Sequence, residues 1–208
     1  MQKLYVITDT EIQKRYSHFE LASMAIEGGA NMIQFRDKKM SSSAMLDECW
    51  NISELCKDNN VIFIVNDRVD IAQMSGARGV HLGNKDIPLR DARKLLGENA
   101  IIGATVHSPD EALKAEEDGA NYIAYGHIFD TKTKKTEGKP RGIKSLQKIL
   151  SLVDVPVFAI GGINHTNVDE LLRLPLFGIA VISSICASRN PVRATRRFYN
   201  KLFKYLYL

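Results

Sequence analysis

Several features that mark particular protein classes are scarce or absent in this sequence. It has three cysteines, Cys49, Cys56 and Cys186, and no CxxC pair. An odd number of cysteines without such a pair argues against a disulfide framework or a zinc site, and it fits a reducing, cytoplasmic environment. No apolar run approaches the roughly 20 residues of a membrane-spanning helix, and the N-terminal region lacks the pattern of a secretory signal.

Charge of one sign is not in large excess either. The 208 residues include 28 basic and 24 acidic side chains, a net charge of +4 that does not by itself indicate nucleic-acid binding. The segment 189–208 has six basic residues, interleaved aromatic residues and no acidic residue. Such a pattern could bind RNA or an anionic membrane, but it is more typical of a last helix with its apolar face inward. We therefore expect no nucleic-acid or membrane partner and leave a homo-oligomer open.

Short runs rich in Val and Ile alternate along the chain with amphipathic segments. Nearly continuous apolarity is typical of strands buried on both faces of a parallel sheet. The predicted strands are 3–9, 31–37, 61–67, 79–83, 100–107, 121–127, 155–162 and 178–184. The predicted helices are 17–28, 42–58, 68–75, 88–96, 109–118, 144–152, 165–173 and 191–205. Eight such units predict one compact (β/α)₈ TIM barrel over 1–208; an open doubly wound sheet is the alternative, but no GxGxxG follows the first strand.

Charged and small residues gather where the predicted strands end, which is the reactive face of such a barrel. The basic residues there are Arg36, Lys38, Arg68, Lys134 and Arg141. Cations that converge from separate strands suit a phosphate or pyrophosphate, although they could also pair with acidic residues at the rim. Strands 7 and 8 end in Gly161-Gly162 and Ile182-Ser183-Ser184, where backbone N–H groups can approach a second anion.

Two carboxylates, Asp67 and Asp86, follow adjacent strands. Mg²⁺ is bound in proteins through one or two carboxylates together with phosphate oxygens, so the pair suggests a magnesium site. Asp86 could instead cap the helix that begins after Ile87-Pro88. Asp70 is interpreted as a first-turn helix charge with a structural role.

The five histidines receive different interpretations. His81 lies within an apolar strand and is expected to be a hydrogen-bonded core residue. His18 and His165 are interpreted as surface residues of helices or loops, and His107 is left open. His127 lies at the end of strand 6, at the start of a polar loop, and is a candidate ligand or proton carrier.

Six motifs in order resemble those of thiamine phosphate synthases. They are IQFRDK (33–38), VNDRVDIA (65–72), GVHLGNKD (79–86), TKTK (131–134), AIGGI (159–163) and VISSI (181–185). The resemblance covers essentially the whole chain. It implies a (β/α)₈ barrel that joins hydroxymethylpyrimidine pyrophosphate to hydroxyethylthiazole phosphate, with release of pyrophosphate and formation of thiamine phosphate.

The resemblance also implies roles for individual residues. The implied binders of the pyrimidine pyrophosphate are Gln34, Arg36, Lys38 and Asn66, and the implied Mg²⁺ ligands are Asp67 and Asp86. Thr105 stands where the family usually has serine, so a hydroxyl is kept. The implied contacts to the thiazole phosphate are Thr131, Thr133, Gly162, Ile182 and Ser183, and Lys134 contacts the pyrophosphate. The candidate catalytic residues are Arg36, Lys38, Thr105, Lys134 and His127.

One position departs from the synthase pattern. Synthases usually have Gly-Pro where this chain has Gly126-His127. Thiazole tautomerases, a related branch, resemble the chain here and at Arg141-Gly142, and they use the histidine as a proton shuttle. They tend to lose the Gln-x-Arg-x-Lys motif and the metal aspartates, which this chain keeps. The synthase is therefore favoured, with the tautomerase and a non-catalytic phosphate-binding barrel as alternatives. The loop 131–142 is expected to close over phosphate as a flap.

Overall fold

The computed structural model describes residues 3–131 and 139–204. Eight parallel strands pair in chain order and close into a barrel, β8 bonding to β1. The strands are β1 Lys3–Thr8, β2 Met32–Phe35, β3 Ile62–Asn66, β4 Gly79–Leu82, β5 Ile101–Val106, β6 Tyr122–Gly126, β7 Val157–Ile160 and β8 Gly178–Val181. The predicted barrel is confirmed, and each observed strand lies within its predicted segment.

Helices alternate with the strands in the described part of the chain. They are α1 His18–Glu27, α2 Ser42–Asp58, α3 Val69–Met74, α4 Leu89–Leu96, α5 Pro109–Glu117, α6 Gly142–Leu150, α7 Val168–Leu172, α8 Ser183–Cys186 and α9 Pro191–Lys204. Sequence patterns missed α8, a single turn after β8. It forms because the N–H groups of Ile185 and Cys186 both donate to the Ile182 carbonyl, which is a purely local arrangement.

Side chains of the strands fill two separate apolar regions. Those that point outward pack against the helices and form the larger core. Those that point into the barrel surround three aromatic rings, Tyr5, Tyr122 and Phe158, whose centroids lie 5.2 to 6.0 Å apart. The barrel interior is therefore a packed core that supports the mouth from below.

The last helix, α9, confirms the interpretation of the basic C-terminal segment as a barrel helix. Ala194, Thr195, Phe198 and Leu202 are buried on its inner face, whereas its arginines are exposed. Among the described helices, none is long and apolar enough to cross a membrane.

Gly103 is required by the aromatic core rather than by a turn. A Cβ at this position would lie 2.0 Å from Cζ of Tyr122. We predict that Gly103→Ala lowers the free energy of unfolding by about 2 kcal/mol or more, since overpacking typically costs ~1–3 kcal/mol. Denaturant titration would measure the change.

Gly97→Ala is the matched comparison for this substitution. Gly97 has φ +79° and ψ 172°, a conformation nearly restricted to glycine, and no atom lies within 4 Å of a Cβ built there, so alanine meets backbone strain alone, at a cost of about 1–3 kcal/mol. A Gly103→Ala protein that is as stable as the wild type, while Gly97→Ala is destabilised, would contradict the steric explanation.

Candidate active site

Polar side chains meet at the carboxyl ends of the strands, as the sequence predicts for a barrel. Arg36 follows β2 and reaches across to Asp9, which follows β1; Nη1 and Oδ2 lie 2.5 Å apart. Asp9 is 2% exposed and also accepts a hydrogen bond from the Glu11 N–H. The alternative expectation, that rim cations pair with rim carboxylates, therefore holds for Arg36 in this structure.

Lys38 and Asp67 form a second pair, between the loops that follow β2 and β3. Lys38 Nζ lies 3.2 Å from Asp67 Oδ2, and the lysine side chain is 52% exposed. Asp67 has a φ of +61°, and the Arg68 N–H donates to the Asn66 carbonyl across this tight turn. A left-handed conformation in a residue other than glycine costs about 1–3 kcal/mol, and such residues cluster at functional sites.

Asp86, in the loop after β4, lies close to Asp67. Burial raises the pKa of the Asp86 carboxyl; the N–H of Gly83 lowers it, the neighbouring Asp67 raises it further, and Lys38 lowers it. Asp86 Oδ2 accepts the Gly83 N–H at 2.7 Å, which closes the loop beneath the carboxylate. Two carboxylates that repel each other and attract one lysine form a site with affinity for added positive charge.

A polar cleft of about 270 Å³ opens beside Asp67. Its lining consists of Asp37, Lys38, Met40, Met45, Asn66, Asp67 and Arg68. The two methionines are apolar, and the other five lining residues supply charge and hydrogen-bonding groups. Such a combination suits a small molecule that carries an apolar ring and an anionic group.

Gln34 and Thr105 lie deeper, at the top of the barrel interior. The Gln34 Nε2 group donates to the Tyr5 hydroxyl at 2.6 Å, and Thr105 Oγ1 lies 2.8 Å from His81 Nε2. His81 is 5% exposed and also bonds to Tyr122, so the interpretation of this histidine as a hydrogen-bonded core residue is confirmed.

The ends of β7 and β8 form a second, less charged part of the mouth. Gly161 and Gly162 have φ values of +95° and +69°, and a Cβ on Gly162 would lie 2.4 Å from the Asp130 carbonyl oxygen. Ile182 precedes the short helix α8, which begins at Ser183. Glycines after strand 7 and a short helix after strand 8 are the usual arrangement of a phosphate site in this fold.

His127 lies directly after β6 and is half-buried. Its Cβ occupies the space that a side chain at Gly161 would need, at 2.4 Å, and its carbonyl accepts the Arg141 N–H. The peptide bond from Gly126 to His127 is cis. Thr131 is half-buried, whereas the predicted site residues Thr133 and Lys134, with most of the predicted flap, lie outside the described residues.

The interpretation of His18 as a surface residue was wrong. His18 is 1% exposed: its Nδ1 lies 2.7 Å from Thr8 Oγ1, and its Nε2 lies 3.1 Å from Asp37 Oδ2. The capping box formed by Ser17 and Glu20 places His18 at the start of α1, against the end of β1. The Ser17 and Glu20 capping-box pattern is visible in the sequence and could have predicted that His18 begins α1. His165 is half-buried and stacks on Phe198, with ring centroids 4.0 Å apart.

Comparison with known proteins identifies the family. The family model described as thiamine monophosphate synthase matches residues 4–185. The chain belongs to the thiamine monophosphate synthase family. The thiamine-phosphate synthase of Salinibacter ruber is 42% identical over 196 residues, which cover 94% of this chain and 86% of that protein. That of Chlorobium limicola is 45% identical over 184 residues, 88% of each chain.

A solved structure agrees with these sequence relatives. The thiamine phosphate pyrophosphorylase of Pyrococcus furiosus superposes with a TM-score of 0.90 at 38% identity, and the match covers 98% of this chain and 96% of that one. The activity of this family member is thus thiamine-phosphate synthesis, a transferase reaction on small phosphate substrates. The synthase names of these relatives favour the synthase over the tautomerase alternative.

The buried His18 makes stability depend on pH. Burial lowers the pKa of His18 from its ordinary value, while the Asp37 carboxylate opposes this shift. The unfolded chain therefore takes up a proton near pH 6.5, where the folded protein resists it. We predict that stability is full above about pH 6.5 and declines as pH falls toward the lowered pKa.

Urea unfolding of the wild type and of His18→Gln at pH 7.5 and 5.5 would measure this effect. The decline with falling pH should be smaller in the variant, because glutamine does not titrate. His165, whose pKa is also lowered by burial, is present in both proteins and cancels in the comparison. Equal declines would contradict the role of His18.

Proposed function

We propose that the barrel mouth joins hydroxymethylpyrimidine pyrophosphate to hydroxyethylthiazole phosphate with the help of Mg²⁺. The observation that supports this proposal most is the meeting of Lys38, Asp67 and Asp86 beside the polar cleft. A pyrophosphate bound with a metal requires both kinds of charge in one place. A barrel that only isomerises a monophosphate has no need of the carboxylate pair.

Each predicted site residue has a part in this proposal. The proposed binders of the pyrimidine pyrophosphate are Gln34, Arg36, Lys38, Asn66, Thr105 and Lys134. The proposed binders of the thiazole phosphate are Thr131, Thr133, Gly162, Ile182 and Ser183. His127 lies at the border between the two groups, beside Gly161.

The reaction proposed at the mouth needs no strong base. The bond between the pyrimidine methylene carbon and the pyrophosphate oxygen breaks, and its electron pair leaves with the pyrophosphate. The electron-rich pyrimidine stabilises the resulting cation. The lone pair of the thiazole nitrogen then forms the new carbon–nitrogen bond, so no proton has to be removed. Arg36 and Lys38 neutralise the leaving group, and the two binding regions hold the nitrogen behind the cation.

Asp67 and Asp86 fit Mg²⁺ by their chemistry. Both are oxygen ligands of the kind that this ion prefers, and the raised pKa of Asp86 reflects burial together with the neighbouring Asp67, whose effect the Gly83 N–H and Lys38 oppose. Lys38 already supplies a positive charge at 3.2 Å from Asp67 and is exposed enough to exchange partners. No described cluster of three or more histidine, cysteine or acidic residues would hold a metal alone, so substrate oxygens complete the set. When bound, Mg²⁺ supplies charge neutralisation for the leaving pyrophosphate.

Pyrophosphate release tests the proposal directly. The protein is incubated with Mg²⁺, the pyrimidine pyrophosphate and the thiazole phosphate, and we expect one pyrophosphate per thiamine phosphate formed. EDTA should stop the release. Asp67→Asn and Asp86→Asn are each expected to lower kcat about 100-fold or more, the usual size of losing one electrostatic contact to the transition state.

Asp91→Asn is the matched control. Asp91 lies in the first turn of α4, pairs with Lys94 and is half exposed, and no part in binding substrate or metal is proposed for it. It should keep wild-type kcat. A wild type that releases no pyrophosphate would exclude the synthase, and near-normal rates in both the Asp67 and Asp86 variants would exclude the carboxylate pair as the metal site.

A further inference from the structure

A continuous chain of hydrogen bonds crosses the barrel interior just below the mouth. Gln34 Nε2 donates to the Tyr5 hydroxyl at 2.6 Å, and the hydroxyls of Tyr5 and Tyr122 lie 2.9 Å apart. The Tyr122 hydroxyl lies 3.0 Å from His81 Nδ1, and His81 Nε2 lies 2.8 Å from Thr105 Oγ1. The chain thus joins β2, β1, β6, β4 and β5. Both of its ends are residues proposed to bind substrate.

One direction of donors and acceptors gives every proton within this hydrogen-bond chain a partner. Gln34 Nε2 donates to the Tyr5 hydroxyl, so the buried Tyr5 proton finds its acceptor in Tyr122, and the Tyr122 proton then goes to His81 Nδ1. A neutral imidazole whose Nδ1 accepts carries its proton on Nε2, and this proton goes to Thr105. Burial raises the pKa of both tyrosines, so both remain protonated. The hydroxyl proton of Thr105 is then left to be donated at the mouth.

We propose that His81 is a positioning residue for the synthase reaction. Held in its Nε2–H form by the two tyrosines, it keeps the Thr105 hydroxyl oriented as a hydrogen-bond donor toward an acceptor atom of the pyrimidine pyrophosphate. The same chain fixes the orientation of the Gln34 amide. This inference rests on the proposed function, because it takes Thr105 and Gln34 as substrate-binding residues.

Packing alone does not account for this chain of hydrogen bonds. The surrounding interior positions are apolar, including Ile64, Ala124 and Phe158. Burying an amide, two phenols and an imidazole is costly unless every group is bonded, and apolar residues of similar shape would serve a core equally well. Gly103 also leaves the space that the Tyr122 ring occupies. The polar groups of this layer are linked by hydrogen bonds, and both of its end residues, Gln34 and Thr105, lie at the mouth. This arrangement points to a role in the active site.

Two tyrosines on β6 provide a matched experiment. Tyr122 and Tyr125 are both buried, but the Tyr125 hydroxyl bonds to Ser145 on α6, outside the barrel interior. We expect Tyr122→Phe to lower kcat for pyrophosphate release about 10- to 100-fold, a range typical for the loss of a supporting contact behind a functional group. Tyr125→Phe should keep kcat within about twofold while its loss of thermal stability is similar. Equal kcat values in the two variants would overturn the proposal.

The tautomer of His81 gives a readout that does not depend on turnover. In protein labelled with ¹⁵N-histidine, the side-chain shifts of His81 should report the Nε2–H form, and Tyr122→Phe should shift them toward a mixture of both tautomers. His81→Gln, whose amide can accept from Tyr122 and donate to Thr105, should retain more of kcat than His81→Leu. If Tyr122→Phe does not fold, the comparison of His81→Gln with His81→Leu and the wild-type spectrum test the proposal instead.

The outcomes separate the two proposals. A wild type inactive in the pyrophosphate assay would remove the proposed function and the positioning role with it. An active wild type in which His81 carries its proton on Nδ1, or in which His81→Gln and His81→Leu lose kcat equally, would overturn the positioning role alone.

Discussion

The pairing of β8 with β1 is the constraint on which the rest of this molecule depends. It places Lys3 opposite Gly178 and Val6 opposite Val181, and it brings the two ends of the sheet into one closed ring. Gly178 is needed there, because a Cβ would lie 2.3 Å from the Lys3 carbonyl oxygen. Once the ring closes, all eight strand ends face one mouth. The loops after β2, β3 and β4 are then held within hydrogen-bonding distance of one another.

Charged side chains at the mouth form ion pairs with one another. Arg36 bonds to Asp9, Lys38 to Asp67 and Arg68 to Asp70. These pairs differ in their surroundings. Asp9 is buried, so its bond to Arg36 is well shielded from water and holds the guanidinium in one place, whereas the half-exposed Lys38 is screened by solvent and exchanges partners at little cost. Arg36 is therefore suited to fix the position of an anion, whereas Lys38 can move together with a bound anion.

The sequence predicted the parts of this structure that repeat and missed those that depend on a single partner. The eight strand–helix units could be identified because apolar runs and helix caps are local signals. The convergence of Lys38, Asp67 and Asp86 followed from the barrel, since strand ends share one face. The burial of His18 did not follow, because it depends on Thr8 at the end of β1 and Asp37 in the loop after β2 reaching the same point. The hydrogen-bond chain through Tyr5 and Tyr122 joins residues 117 positions apart in the sequence, and no local pattern encodes such a contact.

The histidine at the end of β6 departs from the synthase pattern, and its surroundings give it a packing role besides the catalytic role predicted for it. The segment after β6 is held to β7 by its backbone: the N–H groups of Ile128 and Phe129 donate to the carbonyls of Ile160 and Gly161. Within this ladder the Cβ of His127 fills the space above Gly161. Position 127 thus has a packing role that any side chain with a Cβ can meet, proline and histidine alike. Arg36, Lys38, Asp67 and Asp86, which we propose to bind the pyrophosphate and its metal, follow β2, β3 and β4 rather than β6, so that exchange does not alter them. We propose that these residues distinguish a synthase from a tautomerase more directly than His127 does, because the proposed release of pyrophosphate requires them.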